Sequence, residues 1–159
     1  MKIRVGIGYD VHRLEEGADF WLGGIKIPHS KGSVGHSDAD VLIHAICDAL
    51  LGAANKRDIG YHFSDKDPAF KGIDSKILLQ KVIALLREEG YAIGNVDSVI
   101  SLQKPKVSPH IEEMKVCLAR VMEIPLEDVS IKATTTEKLG FVGKEEGVAA
   151  QAVVMIYRS

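Results

Sequence analysis

Along the first residues of the chain, apolar side chains fall at every second position. Ile3-Arg4-Val5-Gly6-Ile7-Gly8-Tyr9 has the two-residue period of a β-strand. Trp21 to Pro28 predicts a hairpin turning at Gly23-Gly24, so the N-terminal quarter is expected to be mainly β. The pattern then changes period. Ser37, Asp38 and Asp40 suit a helix start, because a hydroxyl and first-turn carboxylates satisfy free amides at the positive helix end. That helix is predicted to run to about Leu51 and to stop near Gly52. A second is predicted from Asp74-Ser75 through Leu78, Leu79, Val82, Leu85 and Leu86 to Gly90, and a third from Ser108-Pro109. Val96 to Leu102, Val129 to Thr134 and Val148 to Tyr157 are rich in β-branched residues and read as strands. Interleaved in this order, the elements predict an α/β or α+β layer fold: a mixed β-sheet with helices packed on one face, plus a small N-terminal hairpin.

The length of 159 residues favours a single domain over 1–159, since no repeat, low-complexity tract or linker marks an internal boundary. A formal charge of −2, from 20 basic and 22 acidic residues without a basic stripe, argues against a nucleic-acid partner. No segment approaches the roughly 20 continuous apolar residues that span a bilayer, and residues 1–11 lack the features of a signal peptide. A cytoplasmic protein without a membrane partner is expected. Cys47 and Cys117 both fall in apolar, helix-like stretches and are expected to be buried free thiols.

Candidate chemistry gathers at Asp10, His12 and His44. Asp10 and His12 stand two apart at the expected end of the first strand, so their side chains share a face. His44 interrupts the apolar run Val41-Leu42-Ile43-His44-Ala45-Ile46-Cys47, with Asp40 and Asp48 four residues to either side on the same helix stripe. Carboxylates in such positions often orient a metal-bound imidazole. One carboxylate and two imidazoles suit a catalytic zinc with an open fourth position, although manganese or iron accepts the same donors. His36, just before this helix, is a candidate phosphate contact, whereas His29, His62 and His110 read as surface or turn residues.

At this level of detail the chain resembles a known family over nearly its whole length. The matching segments are Gly8-Tyr9-Asp10-Val11-His12, Gly23-Gly24 with Ile27-Pro28, His36-Ser37-Asp38-Ala39-Asp40-Val41, and Asp48-Ala49-Leu50-Leu51-Gly52-Ala53. They continue with Asp58-Ile59-Gly60, Asp67-Pro68-Ala69-Phe70-Lys71-Gly72, Gly94-Asn95-Val96-Asp97, and Lys132 through Phe141. Together they resemble the 2-C-methyl-D-erythritol 2,4-cyclodiphosphate synthase family of the non-mevalonate isoprenoid pathway.

The resemblance implies zinc on Asp10, His12 and His44, and magnesium or manganese between substrate phosphates with help from Glu137. It implies a cytidine pocket from Leu102 to Ser108 and from Ala133 to Thr135, in a homotrimer whose active sites lie between subunits. Substrate contacts are then expected from His36, Ser37, Asp48, Asp58, Gly60, Asp65, Lys106, Ala133, Thr134, Thr135, Phe141 and Lys144, with His36 and Thr135 also catalytic. Asp58 and Gly60 are expected to reach the substrate from the neighbouring subunit. Phe141 is expected near the trimer axis, where Lys144 stands in place of the family's usual Arg, and Ser64 replaces a common Pro in a loop. The implied reaction is intramolecular phosphoryl transfer on a cytidine diphosphate substrate with release of CMP. A zinc hydrolase and a non-catalytic nucleotide-binding module are the rival readings.

Overall fold

The computed structural model describes Met1–Ser159. Its framework is a five-stranded mixed sheet in the order β4-β1-β7-β5-β6, formed by β4 (Lys31–Val34), β1 (Lys2–Glu16), β7 (Gly147–Arg158), β5 (Ala92–Ser101) and β6 (Val129–Thr134). All neighbouring pairs are antiparallel except β5 with β6. That parallel pair needs a long crossover, which α4 (Ile111–Met122) supplies. The predicted layer architecture is thus the observed one, and β2 (Trp21–Leu22) with β3 (Ile25–Lys26) forms the small hairpin.

Helix α1 (Val41–Ala53) lies against β1 and β7 at the centre of the molecule, with α3 (Ser75–Glu88) packed on it and α4 beyond, towards β6. Nearly every residue of α1 is buried, as expected for a helix that is apolar on all sides and covered on all sides. Two glycines allow its close approach to the sheet. A Cβ on Gly6 would lie 1.9 Å from the Ala49 carbonyl oxygen, and one on Gly8 would lie 1.8 Å from that of Ala45. The helix-facing side of β1 is therefore bare backbone at these positions, and the next side chains on that face are Asp10 and His12.

Several boundaries differ from expectation for identifiable reasons. The first helix begins at Val41, because Ala39 is left-handed with φ 58° and Asp40, rather than Ser37, accepts the capping Ile43 N–H. Asp10 and His12 lie within β1 instead of at its end. The strand continues to Glu16 because β4 pairs with its final residues. Polar side chains there resemble a solvated turn in sequence, but strand pairing is decided by the neighbouring backbone. A 3-10 turn over Ser108–His110 precedes α4, and Cys117 is half-buried while Cys47 is fully buried.

The opposite face of the sheet is uncovered. Ile3, Val5, Ile7, Tyr9 and Val11 project from β1 on that side, with Val5 66% and Ile7 72% exposed, and Val153 of β7 extends the patch. No helix is long and apolar enough to cross a membrane.

Candidate metal centre and nucleotide cavity

Asp10 and His12 rise from β1, and His44 reaches them from the first turns of α1. Their donor atoms form a nearly equilateral triangle: Asp10 Oδ2 is 2.9 Å from His12 Nε2 and 3.0 Å from His44 Nδ1, and the two nitrogens are 3.0 Å apart. A tetrahedral ion with bonds of about 2.0 Å places its ligands roughly 3.3 Å apart, so a small outward relaxation of these side chains suffices to accept one. The chemistry of the set agrees. Burial pushes the Asp10 carboxyl up, but its hydrogen bonds to His12 and His44 outweigh that and hold it below the usual carboxylate range, ionised and able to ligate. For His12, burial lowers the affinity for a proton, and the hydrogen bond and charge of Asp10 more than restore it.

Asp10, His12 and His44 line a cavity of about 400 Å³ together with His36, Ser37, Gly60 and Asp65, so seven of the predicted site residues converge on it. Ile59, Phe63, Phe70, Ile73 and Leu78 complete its apolar wall. His36 Nε2 is 3.2 Å from the Asp67 carbonyl oxygen, tying the helix entry to the loop across the cavity.

The carboxylates expected to flank His44 do other work. Asp40 is fully buried and accepts the N–H groups of Gly23 at 2.9 Å, Gly24 at 2.7 Å and Ile43 at 3.1 Å, fastening the hairpin to the start of α1. Gly23 and Gly24 have φ of 61° and 80°, which turns both amides towards it. Desolvation raises the pKa of Asp40, against the lowering effect of those amides. Asp48 accepts the Ile59 N–H at 2.8 Å, and burial raises its pKa. Asp58 caps the short helix α2 (Ile59–His62) through the Tyr61 N–H at 2.9 Å. Neither lines the cavity; both hold the segment that brings Gly60 to its edge. The partners of His44 Nε2 are instead hydroxyls, Ser75 Oγ at 3.0 Å and Ser37 Oγ at 3.1 Å. Ser75 had no sequence signal as a site residue, because it reads as part of the Asp74-Ser75 helix start.

A second, smaller cavity of about 170 Å³ is lined by Leu102, Gln103, Pro105, Lys106, Val107, Ser108, Ala133, Thr134 and Thr135. These are the two segments expected to form a cytidine pocket. The cavities share no lining residue, but sheet register relates them: Asp10 opposes Ala150, Ala150 opposes Ile100, and Ile100 opposes Ala133. Three strand spacings of about 4.8 Å place the two sites roughly 14 Å apart on the same, helix-bearing face. Glu137 is exposed just beyond β6, where Glu137 and Lys138 are both left-handed with φ 54° and 64°. Phe141, in α5 (Gly140–Gly143), packs beside Gly147, and the exposed Lys144 caps that short helix.

A mixed α+β sheet that carries an Asp-His-His triad at a cavity, with a separate small cavity at the far end of the same strand row, defines a protein with a potential divalent-metal site. The chain belongs to the YgbB family, whose model matches residues 3–157. It is 63% identical over 158 residues to the 2-C-methyl-D-erythritol 2,4-cyclodiphosphate synthase of Parabacteroides distasonis, covering 99% of this chain and 98% of that one. To the protein of the same name from Cytophaga hutchinsonii it is 60% identical over 158 residues, covering 99% of both. A solved 2C-methyl-D-erythritol-2,4-cyclodiphosphate synthase in its CDP-bound form matches with TM-score 0.90 and 36% identity, over 97% of this chain and 100% of that one. The bifunctional IspDF of Campylobacter jejuni matches with TM-score 0.95 and 37% identity, over 99% of this chain but 43% of that one.

Proposed function

We propose that this protein converts 4-diphosphocytidyl-2-C-methyl-D-erythritol 2-phosphate into 2-C-methyl-D-erythritol 2,4-cyclodiphosphate and CMP, in the non-mevalonate route to isoprenoids. It acts as a single-domain, cytoplasmic homotrimer. The observation that carries the reading is the triad at the wall of the larger cavity, in a chain over 60% identical along its length to a protein of that name.

In the reaction, an oxygen of the 2-phosphate attacks the β-phosphorus of the diphosphate. A new P–O bond forms, the P–O bond to CMP breaks, and the bond's electron pair leaves with CMP. The attacking oxygen is already ionised at neutral pH, so alignment and charge neutralisation matter more than a general base. Asp10, His12 and His44 would hold a zinc or manganese ion, and Glu137 would help hold magnesium or manganese; when bound, these would supply positive charge against the phosphate oxygens. The protein's own groups do the rest. His36 and Ser37 offer hydrogen-bond donors at the wall of the larger cavity, and Lys106 and Thr135 do so beside the smaller one, where Ala133 and Thr134 accept the cytidine. Phosphorus NMR with the authentic substrate should show CMP with a cyclic diphosphate. CMP with a linear phosphate would indicate a hydrolase, and binding without turnover a nucleotide-binding module.

The trimer accounts for the uncovered apolar face of β1 and β7, a surface of the kind that subunit contacts bury. In a closed ring each interface joins two different patches, and the family resemblance implies that the metal side of one chain meets the nucleotide side of its neighbour. When His44→Ala and Glu137→Ala chains are unfolded, mixed equally and reassembled, about one quarter of interfaces should have both halves intact. Activity is then expected to reappear from two inactive parents. Demonstrated mixed trimers without recovery would place both residues in one chain's site.

A further inference from the structure

The two ring nitrogens of His44 face different surroundings. Nδ1 faces Asp10 and His12, while Nε2 points away from the triad, towards Ser75 and Ser37. With Nδ1 as a metal donor, the single proton of a neutral imidazole must sit on Nε2, so neither hydroxyl can donate to it and the one N–H is directed at the hydroxyl oxygens. Ser75 can accept it because its own proton is already committed. Ser75 is fully buried, and its O–H donates to Asp38 Oδ1. Asp38 is itself held in place, accepting the Ser75 N–H at 2.9 Å and the Asp40 N–H at 3.1 Å. Every donor in this chain therefore has one direction: His44 Nε2–H to Ser75, and Ser75 O–H to Asp38.

We propose that Ser75 and Asp38 are positioning residues for the metal site: they fix the Nε2–H form and the ring orientation of His44, keeping Nδ1 free and aimed at the metal. Without Asp38, the Ser75 hydroxyl can turn its proton towards Nε2, favouring the tautomer that carries a proton on Nδ1 and competes with the metal. Without Ser75, the ring loses its buried acceptor. Ser37 differs, because its oxygen accepts the Ala39 N–H at 3.2 Å while its own proton has no acceptor on the chain. At the cavity wall that proton is available to a phosphate oxygen. The relay also joins α1 to the N-terminus of α3, two elements that local sequence does not connect.

The inference rests on the triad being a metal site, and the experiment separates the two. Metal-free wild-type, Ser75→Ala and Asp38→Ala proteins are titrated with zinc against a competing chelator, and with cobalt(II) followed by visible absorption. Wild type should bind one equivalent at the triad. Ser75→Ala should bind zinc about 10- to 100-fold more weakly, the range typical of lost partners behind a ligand, and should alter the cobalt spectrum. Asp38→Ala should weaken binding in the same direction, and it decides the matter if Ser75→Ala does not fold. A wild type that binds no metal overturns both readings. Wild-type affinity and an unchanged cobalt spectrum in a folded variant overturn the relay alone, even if its metal-free form melts at a lower temperature, because that pattern describes a purely structural contact.

Discussion

Replacing His44 by alanine should remove cyclodiphosphate formation and stoichiometric zinc together while leaving the metal-free fold intact. His44 supplies the only triad atom contributed by α1, and Asp10 with His12 leaves two donors where a catalytic zinc ordinarily has three from the protein. The rate should fall at least ~100-fold, since the loss of a direct ligand exceeds the effect of losing a partner behind one. The fold should survive because α1 remains held by Leu42, Ile43, Ile46, Leu50 and Leu51, all fully buried. Metal analysis, phosphorus NMR and far-ultraviolet circular dichroism of the same preparation check the three parts. Full zinc content with an unchanged rate would remove His44 from the site.

Gly8→Ala should be more damaging to the molecule, although it deletes nothing. The new methyl would lie 1.8 Å from the Ala45 carbonyl oxygen and 2.8 Å from the Ala49 nitrogen, both backbone atoms of α1 that have no rotamer to yield. The helix must move away from β1, at a cost of about 3 kcal/mol or more at the upper end of overpacking effects. That movement separates His44 from Asp10 and His12, so zinc affinity should fall along with stability. Gly52→Ala provides the contrast. Gly52 is exposed in the last turn of α1, and its added Cβ would have nothing nearer than the Ile7 carbonyl oxygen at 3.9 Å. There the substitution should stabilise by about 0.5–1 kcal/mol, as alanine replaces glycine within a helix. Urea denaturation of the metal-free proteins distinguishes the two signs, and similar midpoints for both variants would contradict the close helix–strand packing.

Much of this architecture was legible in the chain because its signals are local. Alternation marked β1, the Gly23-Gly24 pair marked the hairpin, and the apolar stripe of Leu78, Leu79, Val82 and Leu86 marked α3. The spacing of Asp10 and His12, and the histidine among apolar helix residues, made these three residues candidates, which the family resemblance supported and whose donor atoms do cluster. The segments Leu102 to Ser108 and Ala133 to Thr135 were singled out by resemblance, and they do share a cavity.

What local pattern misjudged was the work of the polar residues around that triad. Helical spacing made Asp40 and Asp48 the natural partners of His44, since residues four apart share a stripe. A stripe does not determine which way a carboxylate turns once other backbones arrive. Asp40 turns to the amides of Gly23 and Gly24, because leaving those groups buried without an acceptor would cost more than leaving an imidazole to find a hydroxyl. The hydroxyl comes from Ser75, 31 residues away in sequence. The sequence by itself marked β1, the hairpin, the three long helices and the later strands, and singled out Asp10, His12 and His44 as candidates, from period and residue type; β4, α2 and α5 carried no such local signal. Only the tertiary structure decided that β1 continues past its polar residues, that two glycines admit α1 against it, and that Ser75 and Asp38 stand behind His44. Those outcomes depend on distances between segments far apart in the chain, which are set when backbone groups compete for hydrogen bonds in a closed interior.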